Sequence, residues 1–437
     1  MFSNNSNNKN SPRGGGKSFG SSRSRFGGVK SGQSGQGGRG GSRPFGRSGG
    51  RPAFKGKFGG SRSKGGRGFG QYIDASKFIN KAVITEEVEV FVPVNKFVDF
   101  QIDERLKKNI TDKGYKLPTP IQDKSIPHVL QGQDVVGIAN TGTGKTAAFL
   151  IPVIDKILKN PEEKALVIVP TRELALQIEQ EFIGFVRGFG MYSVCAVGGA
   201  NINPQMSLLR RKHNIVIGTP GRLKDLMERR CLDLSKFKTI VLDEADRMLD
   251  MGFVNDMRFM MSKMPAERHT LFFSATLSTD IEKLINDFLK SPVRISVKTR
   301  DTSKNIDQDV VRVTPGKNKI DLLHDLLNQN EFNKVLIFGR TKHGVERLSK
   351  TLLERGFKAE SIHGDKNHAK RQKALALFKN NHIKILVATD VAARGLDIPN
   401  VSHVINFDVP GTYEDYVHRI GRTGRGDKSG KALTFIE

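Results

Sequence analysis

The stretch Thr239-Ile240-Val241-Leu242-Asp243-Glu244-Ala245-Asp246 decides how this chain is read. Its first half has the composition of a buried strand, and three carboxylates follow within four positions. Unpaired charge at the end of a buried strand is costly, so these carboxylates need a cation or an ordered water. Parallel α/β sheets bind ligands at the carboxyl ends of their strands, and phosphoryl-transfer sites hold Mg²⁺ with acidic residues of this kind. Upstream, the apolar run Asp134-Val135-Val136-Gly137-Ile138 leads into Ala139-Asn140-Thr141-Gly142-Thr143-Gly144-Lys145-Thr146, which reads as a phosphate loop. Singly, each segment is compatible with a surface turn. Both in order, each after an apolar run, imply a Mg²⁺-ATP site.

The loop departs from the general pattern G-x-x-x-x-G-K-[ST] in one place, because Ala139 stands where the first glycine is usual. Gly142 and Gly144, alternating with Thr141 and Thr143, still supply permissive backbone that lets amides point at phosphates. Lys145 is placed to reach the β- and γ-phosphates, and the Thr146 hydroxyl to hold Mg²⁺.

Working outward, the 437 residues give room for roughly two or three domains. The formal net charge is +26, and residues 1–70 hold 15 Lys or Arg and no acid, leaving +11 on the remainder. Such a chain favours polyanionic partners, most simply nucleic acid. Gly, Ser, Arg and Lys dominate 1–70, with Phe19, Phe26, Phe45, Phe54, Phe58 and Phe69 scattered among them. That is too little apolar surface to offset the entropy of ordering, so a disordered basic tail is expected. Arg13-Gly14-Gly15 and Arg39-Gly40-Gly41 resemble RGG-type segments. Arginine binds phosphates and stacks on bases, and Phe adds stacking faces, so RNA binding is favoured over a merely solubilising tail.

Cys195 and Cys231 make no disulfide framework or zinc spacing, which fits a reducing cytosol. Cys195, in the apolar run Tyr192-Ser193-Val194-Cys195-Ala196-Val197, is expected in the core. No N-terminal apolar region or bilayer-length apolar stretch occurs. The expectation is a cytoplasmic protein without membrane contact.

Residues 71–94 read as a connector, either packed on the core or acting as a spacer. From 95 to 300, apolar runs alternate with helical periodicity. Ala165-Leu166-Val167-Ile168-Val169, Ile215-Val216-Ile217, Thr239-Ile240-Val241-Leu242 and Leu271-Phe272-Phe273 predict strands, and 172–182, 221–229 and 281–289 predict helices. The polar stretch 298–305 reads as a linker. A second alternating unit, 301–437, begins its strands with Val335-Leu336-Ile337-Phe338 and continues with Ile385-Leu386-Val387, Val404-Ile405 and Ala432-Leu433-Thr434-Phe435. The alternation predicts two α/β domains, each with a parallel sheet covered on both faces.

With these motifs in order, the chain resembles the DEAD-box ATP-dependent RNA helicase family of superfamily 2. Gly114-Tyr115-Lys116-Leu117-Pro118-Thr119-Pro120-Ile121-Gln122 resembles the family's adenine-reading Q motif. Pro170-Thr171-Arg172-Glu173-Leu174-Ala175, Gly198-Gly199 and Thr219-Pro220-Gly221-Arg222 resemble its RNA-strand contacts, and Ser274-Ala275-Thr276 its coupling motif. Ala388-Thr389-Asp390, Arg394-Gly395-Leu396-Asp397 and His418-Arg419-Ile420-Gly421-Arg422-Thr423-Gly424-Arg425 resemble the second domain's motifs. The match runs from Phe97 to the C-terminus and implies two RecA-like domains in tandem facing across a cleft.

The roles follow residue by residue. The Gln122 amide donates and accepts at once, matching the N6 and N7 edge of adenine. The resemblance makes Phe97 the adenine-stacking aromatic, with Phe100 as competitor and a core position as the plainer reading. Asp243 would hold Mg²⁺ through water, and Glu244 would orient and deprotonate the attacking water. Asp246 is expected to pair with Ser274 or Thr276, the plainer reading being a helix cap. Arg422 and Arg425, three apart and so expected on one face of a helical turn, resemble arginine fingers. Asp397 resembles a ribose contact and His418 a connector to the coupling motif. Arg172, Gly199, Thr219, Arg222, Arg340, Gly364, Thr389 and Arg394 are expected on the RNA backbone, with low base specificity.

The resemblance implies an ATP-hydrolysing monomer that melts short RNA duplexes locally and need not translocate. Its rivals are a non-catalytic RNA clamp or chaperone acting through the basic tail, and a DNA helicase of the same superfamily. Lys145, Glu244, Arg422 and Arg425 disfavour the first, and Gln122 with Asp-Glu-Ala-Asp disfavours the second. Glu437 follows directly on the expected strand 431–436, where the family continues with a further helix, so a fragment or an early-ending member is expected.

Overall fold

The computed structural model describes residues 74–80, 91–140, 142–297, 306–393, 398–424 and 430–436. The expected tail at 1–70, the expected linker at 298–305, and Thr141, Arg394, Asp397 and Arg425 lie outside the described residues.

Two parallel sheets follow one another along the chain. The first contains β1 (Val135–Ile138), β2 (Ala165–Ile168), β3 (Ser193–Ala196), β4 (Ile215–Gly218), β5 (Thr239–Leu242), β6 (His269–Ser274) and β7 (Val293–Ser296), in the order β3-β4-β2-β5-β6-β1-β7. The second contains β8 (Ile306–Arg312), β9 (Val335–Phe338), β10 (Ala359–Ile362), β11 (Ile385–Ala388), β12 (His403–Asn406) and β13 (Gly430–Ile436), in the order β10-β11-β9-β12-β13-β8.

The strands are short apolar runs because both of their faces are covered. Every residue of β2, β4, β5, β9 and β11 is buried, whereas the edge strand β7 leaves Arg294 exposed. Successive side chains point to opposite faces. Val167 and Val241 accordingly join a core layer with Phe149 and Ile151, while Leu166, Ile168 and Leu242 join another with Met257 and Leu284. The second sheet divides likewise, Val335 and Ile337 on one side and Leu336 and Phe338 on the other. Each such Val, Leu or Ile contributes roughly 1.5–3 kcal/mol relative to exposure.

Helix starts follow local capping. Thr171 accepts from the Leu174 amide ahead of the helix Arg172–Phe185, and Ser278 accepts from the Ile281 amide ahead of Thr279–Phe288. Pro220 opens the helix Pro220–Glu228 at a position that needs no amide donor. Cys195 is partly buried against the first core layer, where burial pushes its thiol pKa up.

One expectation fails. Arg422 does not lie on a helical turn, because the helix Tyr413–Ile420 is capped by Gly421 and the chain turns through Gly424 at φ +62°. Of the two readings left open for the connector, its described part follows the packed one. Its residues Ala75–Phe78 form a 3-10 turn, and Asn80 pairs with Gln308 of β8. No helix among the described residues is long and apolar enough to cross a membrane.

Candidate nucleotide and nucleic-acid site

Register brings the first domain's motifs to one edge. Ile138 of β1 lies opposite Ser274 of β6, and Leu242 of β5 opposite Phe272 and Ile168. The phosphate loop, the acidic turn and Ser274-Ala275-Thr276 therefore leave the ends of three neighbouring strands. Arg172, Gly199 and Thr219 follow β2, β3 and β4 on the other half of the same edge.

The phosphate loop is held from both sides. Gly142 and Gly144 take φ of +84° and +92°, where a side chain would be strained. Lys145, buried at the start of the helix Lys145–Lys159, donates from Nζ to Ala139 O at 2.8 Å. Gln122, only 1% exposed, donates to Gly144 O at 3.0 Å and accepts from the Thr119 amide at 2.9 Å. Its amide thus links the segment ahead of its own helix to the loop, a contact that spacing alone did not reveal. One N–H and one lone pair remain for a further partner. Phe97 is buried, with its ring edge-on to Phe100 and Tyr115 at 6.0 and 5.8 Å between centroids. That is the packing of a core aromatic, and Phe100 is equally buried.

The acidic turn is strained and desolvated. Glu244 takes φ +53° ahead of the helix Ala245–Asp250, a conformation costing of order 1–3 kcal/mol and typical of functional turns. Burial pushes the Asp243 pKa up to about 6, against the pull of Lys145, with the neighbouring Glu244 charge adding to the rise. Glu244 Oε2 is buried without a hydrogen-bond partner. The completely buried Arg247 guanidinium lies 3.6 Å away. A divalent cation beside Asp243 would relieve the cost of ionising it, so these residues fit Mg²⁺ with ATP. Among the described residues no group of three or more His, Cys, Asp or Glu forms a metal cage.

Asp246 joins two motifs, as the sequence suggested. Its Oδ2 accepts from the Ala275 amide (3.0 Å), the Thr276 amide (3.1 Å) and Thr276 Oγ1 (3.3 Å). Ser274 turns its hydroxyl to Thr276 O at 2.8 Å, and Ser274 O accepts from the Ala139 amide at 3.0 Å. A continuous hydrogen-bonded path thus runs from phosphate loop to acidic turn.

On the other half of the edge, Gly199 has φ +71°, and a Cβ there would overlap the Arg172 guanidinium. Arg222 reaches Gln205 Oε1 at 2.9 Å and Ala200 O at 3.1 Å. Burial, then Arg371 of the second domain, hold the Arg172 pKa below its ordinary value. Thr219 stands ahead of Pro220, with its amide on Ala196 O at 3.1 Å.

In the second domain Arg340, Gly364 and Thr389 follow β9, β10 and β11. The Arg340 amide donates to Asp408 at 2.7 Å. His418 and Arg422 border one hollow with Asp390, and Arg422 Nε donates to His418 O at 3.3 Å. Two further residues had been given no role from the sequence. Arg419 is buried, with Nε and Nη2 on the Asp390 carboxylate at 2.6 and 2.8 Å and Nη1 on Asp408 O at 2.6 Å. It roots the helix Tyr413–Ile420. Arg371 of the helix His368–Lys379 forms a buried 2.8 Å ion pair with Glu173, joining the two domains. Neither shows a spacing signal, since its partner is distant in sequence.

Comparisons with known proteins agree with this geometry. The DEAD/DEAH box helicase family matches residues 119–284, and the helicase conserved C-terminal domain matches 318–427. The chain is 46% identical over 346 residues to the ATP-dependent RNA helicase CshA of Listeria monocytogenes, covering 79% of this chain and 66% of that protein's length. It therefore spans a little under two thirds of that relative. Among solved structures, Mss116p with its NTE and C-tail deleted, bound to ssRNA and AMP-PNP, is 32% identical with a TM-score of 0.71, covering 82% of this chain and 76% of that one. Dbp5 of S. cerevisiae bound to RNA and ADP BeF3 is 28% identical with a TM-score of 0.70, covering 78% and 89%.

Proposed function

Because this chain belongs to the DEAD-box helicase family, we propose that it is an ATP-dependent RNA helicase, binding Mg²⁺-ATP and RNA between its two RecA-like domains and melting short duplexes locally. The observation that carries this reading is the path from Lys145 and Ala139 through Ser274 and Thr276 to Asp246. It ties the phosphate loop to the acidic turn, on the same sheet edge that presents Arg172 and Gly199.

Thr141, Gly142, Thr143, Gly144 and Lys145 cradle the phosphates. Gln122 reads adenine with its remaining donor and acceptor, and Asp397 contacts the ribose. Mg²⁺, held by Thr146 and Asp243, would neutralise charge on the β/γ-phosphate oxygens. Glu244 takes a proton from the attacking water while the water oxygen bonds the γ-phosphorus and the bridging oxygen leaves with ADP. Arg422 and Arg425 stabilise the charge that develops. Arg172, Gly199, Thr219, Arg222, Arg340, Gly364, Thr389 and Arg394 hold the RNA backbone, and 2′-hydroxyl contacts favour RNA over DNA. Asp246, Ser274, Thr276 and His418 link the two events. The protein acts as a monomer in the cytoplasm.

ATP hydrolysis by the full chain, measured with saturating RNA, with DNA of the same sequence and with neither, tests this reading. RNA is expected to stimulate turnover strongly and DNA weakly. Equal rates in all three, or RNA binding without any ATP turnover, would instead favour the non-catalytic RNA clamp.

A further inference from the structure

The segment ahead of the first domain is docked on the second. Asn80 and Gln308 exchange backbone hydrogen bonds at 3.0 and 2.8 Å, extending the second sheet beyond its edge strand β8. Phe78, 1% exposed, enters a cluster with Ile306, Tyr416, Ile420 and Ala432. Its ring meets Tyr416 edge-on at 4.8 Å, and Lys77 Nζ stands 5.7 Å from the Tyr413 ring. Tyr416 in turn donates from its hydroxyl to Gln308 Oε1 at 2.9 Å. Tyr413, Tyr416 and Ile420 share one face of the helix Tyr413–Ile420, and residues 77–80 meet that face directly or through Gln308. Arg422 begins two residues beyond it, with Nε on His418 O. At its other end the same stretch of chain grips the first domain, where the Val94 amide and the Asn95 amide and side chain all donate to the Asp123 carboxylate at 2.8–3.0 Å. Asp123 is the neighbour of Gln122.

We propose that residues 74–80 are a built-in clasp whose docking positions the helix Tyr413–Ile420, and through it Arg422, for ATP hydrolysis. Phe78 and Asn80 are positioning residues for the reaction, and this role rests on the helicase reading above. A spacer has no reason to bury an aromatic ring or to cover an open sheet edge. An edge strand left bare invites wrong pairing, and a helix held on one face only is free to rock about the other. A transition-state group carried just past such a helix is sensitive to small displacements, since about 1 Å of misplacement costs up to roughly a hundredfold in rate. ATP affinity is set elsewhere, by the phosphate loop and Gln122, so the clasp should act on turnover and not on binding.

The test uses the full chain with Phe78→Ala, Phe78→Leu and Asn80→Pro, the last removing the amide that donates to Gln308 O. Amide hydrogen exchange is followed at Gln308 and residues 413–420, beside ATP turnover at saturating RNA. Phe78→Ala and Asn80→Pro are expected to speed exchange at these sites and to lower kcat by roughly tenfold to a hundredfold. KM for ATP should stay within about twofold, since the ground-state contacts are kept. Phe78→Leu, which keeps a buried apolar side chain, should restore most of kcat. Unchanged exchange would mean that the clasp is not docked in solution. Faster exchange with unchanged kcat would reduce it to a structural cap, and either result overturns the proposal. Should Phe78→Ala lose protection across β9 to β12, the domain has unfolded, and Asn80→Pro with Phe78→Leu carry the test. If the unaltered chain shows no RNA-stimulated turnover, the helicase reading fails instead, and exchange alone then decides whether the clasp docks.

Discussion

The two sheets share a topology but end their strands in different residues. Set edge to edge in their strand orders, β1 corresponds to β8, β5 to β12 and β6 to β13. After β1 the first domain places the phosphate loop, whereas after β8 the second continues Val313-Thr314-Pro315-Gly316-Lys317, without the Gly-x-Gly-Lys-Thr run. After β5 come Asp243 and Glu244, both buried. After β12 come Phe407 and Asp408, and Asp408 is engaged by the Arg340 amide within its own domain. What the second domain offers is cationic, with Arg371 against Glu173 and Arg422 beside His418. A shared fold thus says little about chemistry, which lies in the residues at the strand ends. On the proposed reading, the first domain would hold the lysine and carboxylates for phosphate, and the second the arginines that answer them.

If the division is right, the first domain's residues should abolish turnover outright. Lys145→Ala should weaken ATP binding and end hydrolysis. Glu244→Gln should keep ATP bound, trap the RNA complex and cost up to about 10⁴ in rate, the upper range for a general base. Filter binding of RNA with ATP distinguishes the two, and normal turnover in Glu244→Gln would remove it from the role of base.

From the second domain, Arg422→Ala or Arg425→Ala should lower hydrolysis by roughly 10³, the lower range for an arginine finger. ATP affinity, measured by calorimetry, should hardly change. Loss of binding in place of turnover would put these arginines in the ground state and blur the division.

The buried acid supplies a stability test. Burial raises the Asp243 pKa from 3.8 to about 6, so the folded chain holds that proton more tightly than the unfolded chain. The stabilisation is complete below about pH 4 and is lost as pH rises through about 6. At neutral pH the ionised carboxylate therefore weakens the fold, by at most roughly 2–3 kcal/mol. Asp243→Asn, without nucleotide, should raise the unfolding midpoint near pH 7.5 and raise it less near pH 5. A lowered midpoint at neutral pH would show that Asp243 is structurally required and not poised for a cation.

The smallest expected effect belongs to the tail. Deleting residues 1–70 should leave ATP chemistry intact at saturating RNA but make RNA binding less salt-dependent. The log–log slope should fall by about 0.7 for each phosphate that the tail had neutralised. Equal slopes with and without the tail would assign it to solubility.

Much of the first domain's site was legible in the sequence, because fully buried strands read as apolar runs and their ends mark where ligands bind. Thr239–Leu242 and Val335–Phe338 begin and end where the apolar runs do. The resemblance also implied that Asp246 pairs with Ser274 or Thr276, and it is Thr276 that Asp246 meets. Other features depended on partners that no local pattern names. Phe78 looks like any aromatic in a linker until Tyr416 and Ile420 surround it. Arg371 is an ordinary helix cation until Glu173 meets it. The spacing of Arg422 and Arg425 suggested a shared helical face, but Gly421 ends the helix first.

The division of labour between the domains is tested most directly by purifying residues 95–300 alone and measuring ATP binding and ATP turnover in the same sample. The account predicts that this fragment binds ATP, which also shows that it is folded, yet turns it over at background rate whether or not RNA is added. Turnover near that of the RNA-saturated full chain would contradict it, because a first domain sufficient for hydrolysis has no need of Arg422.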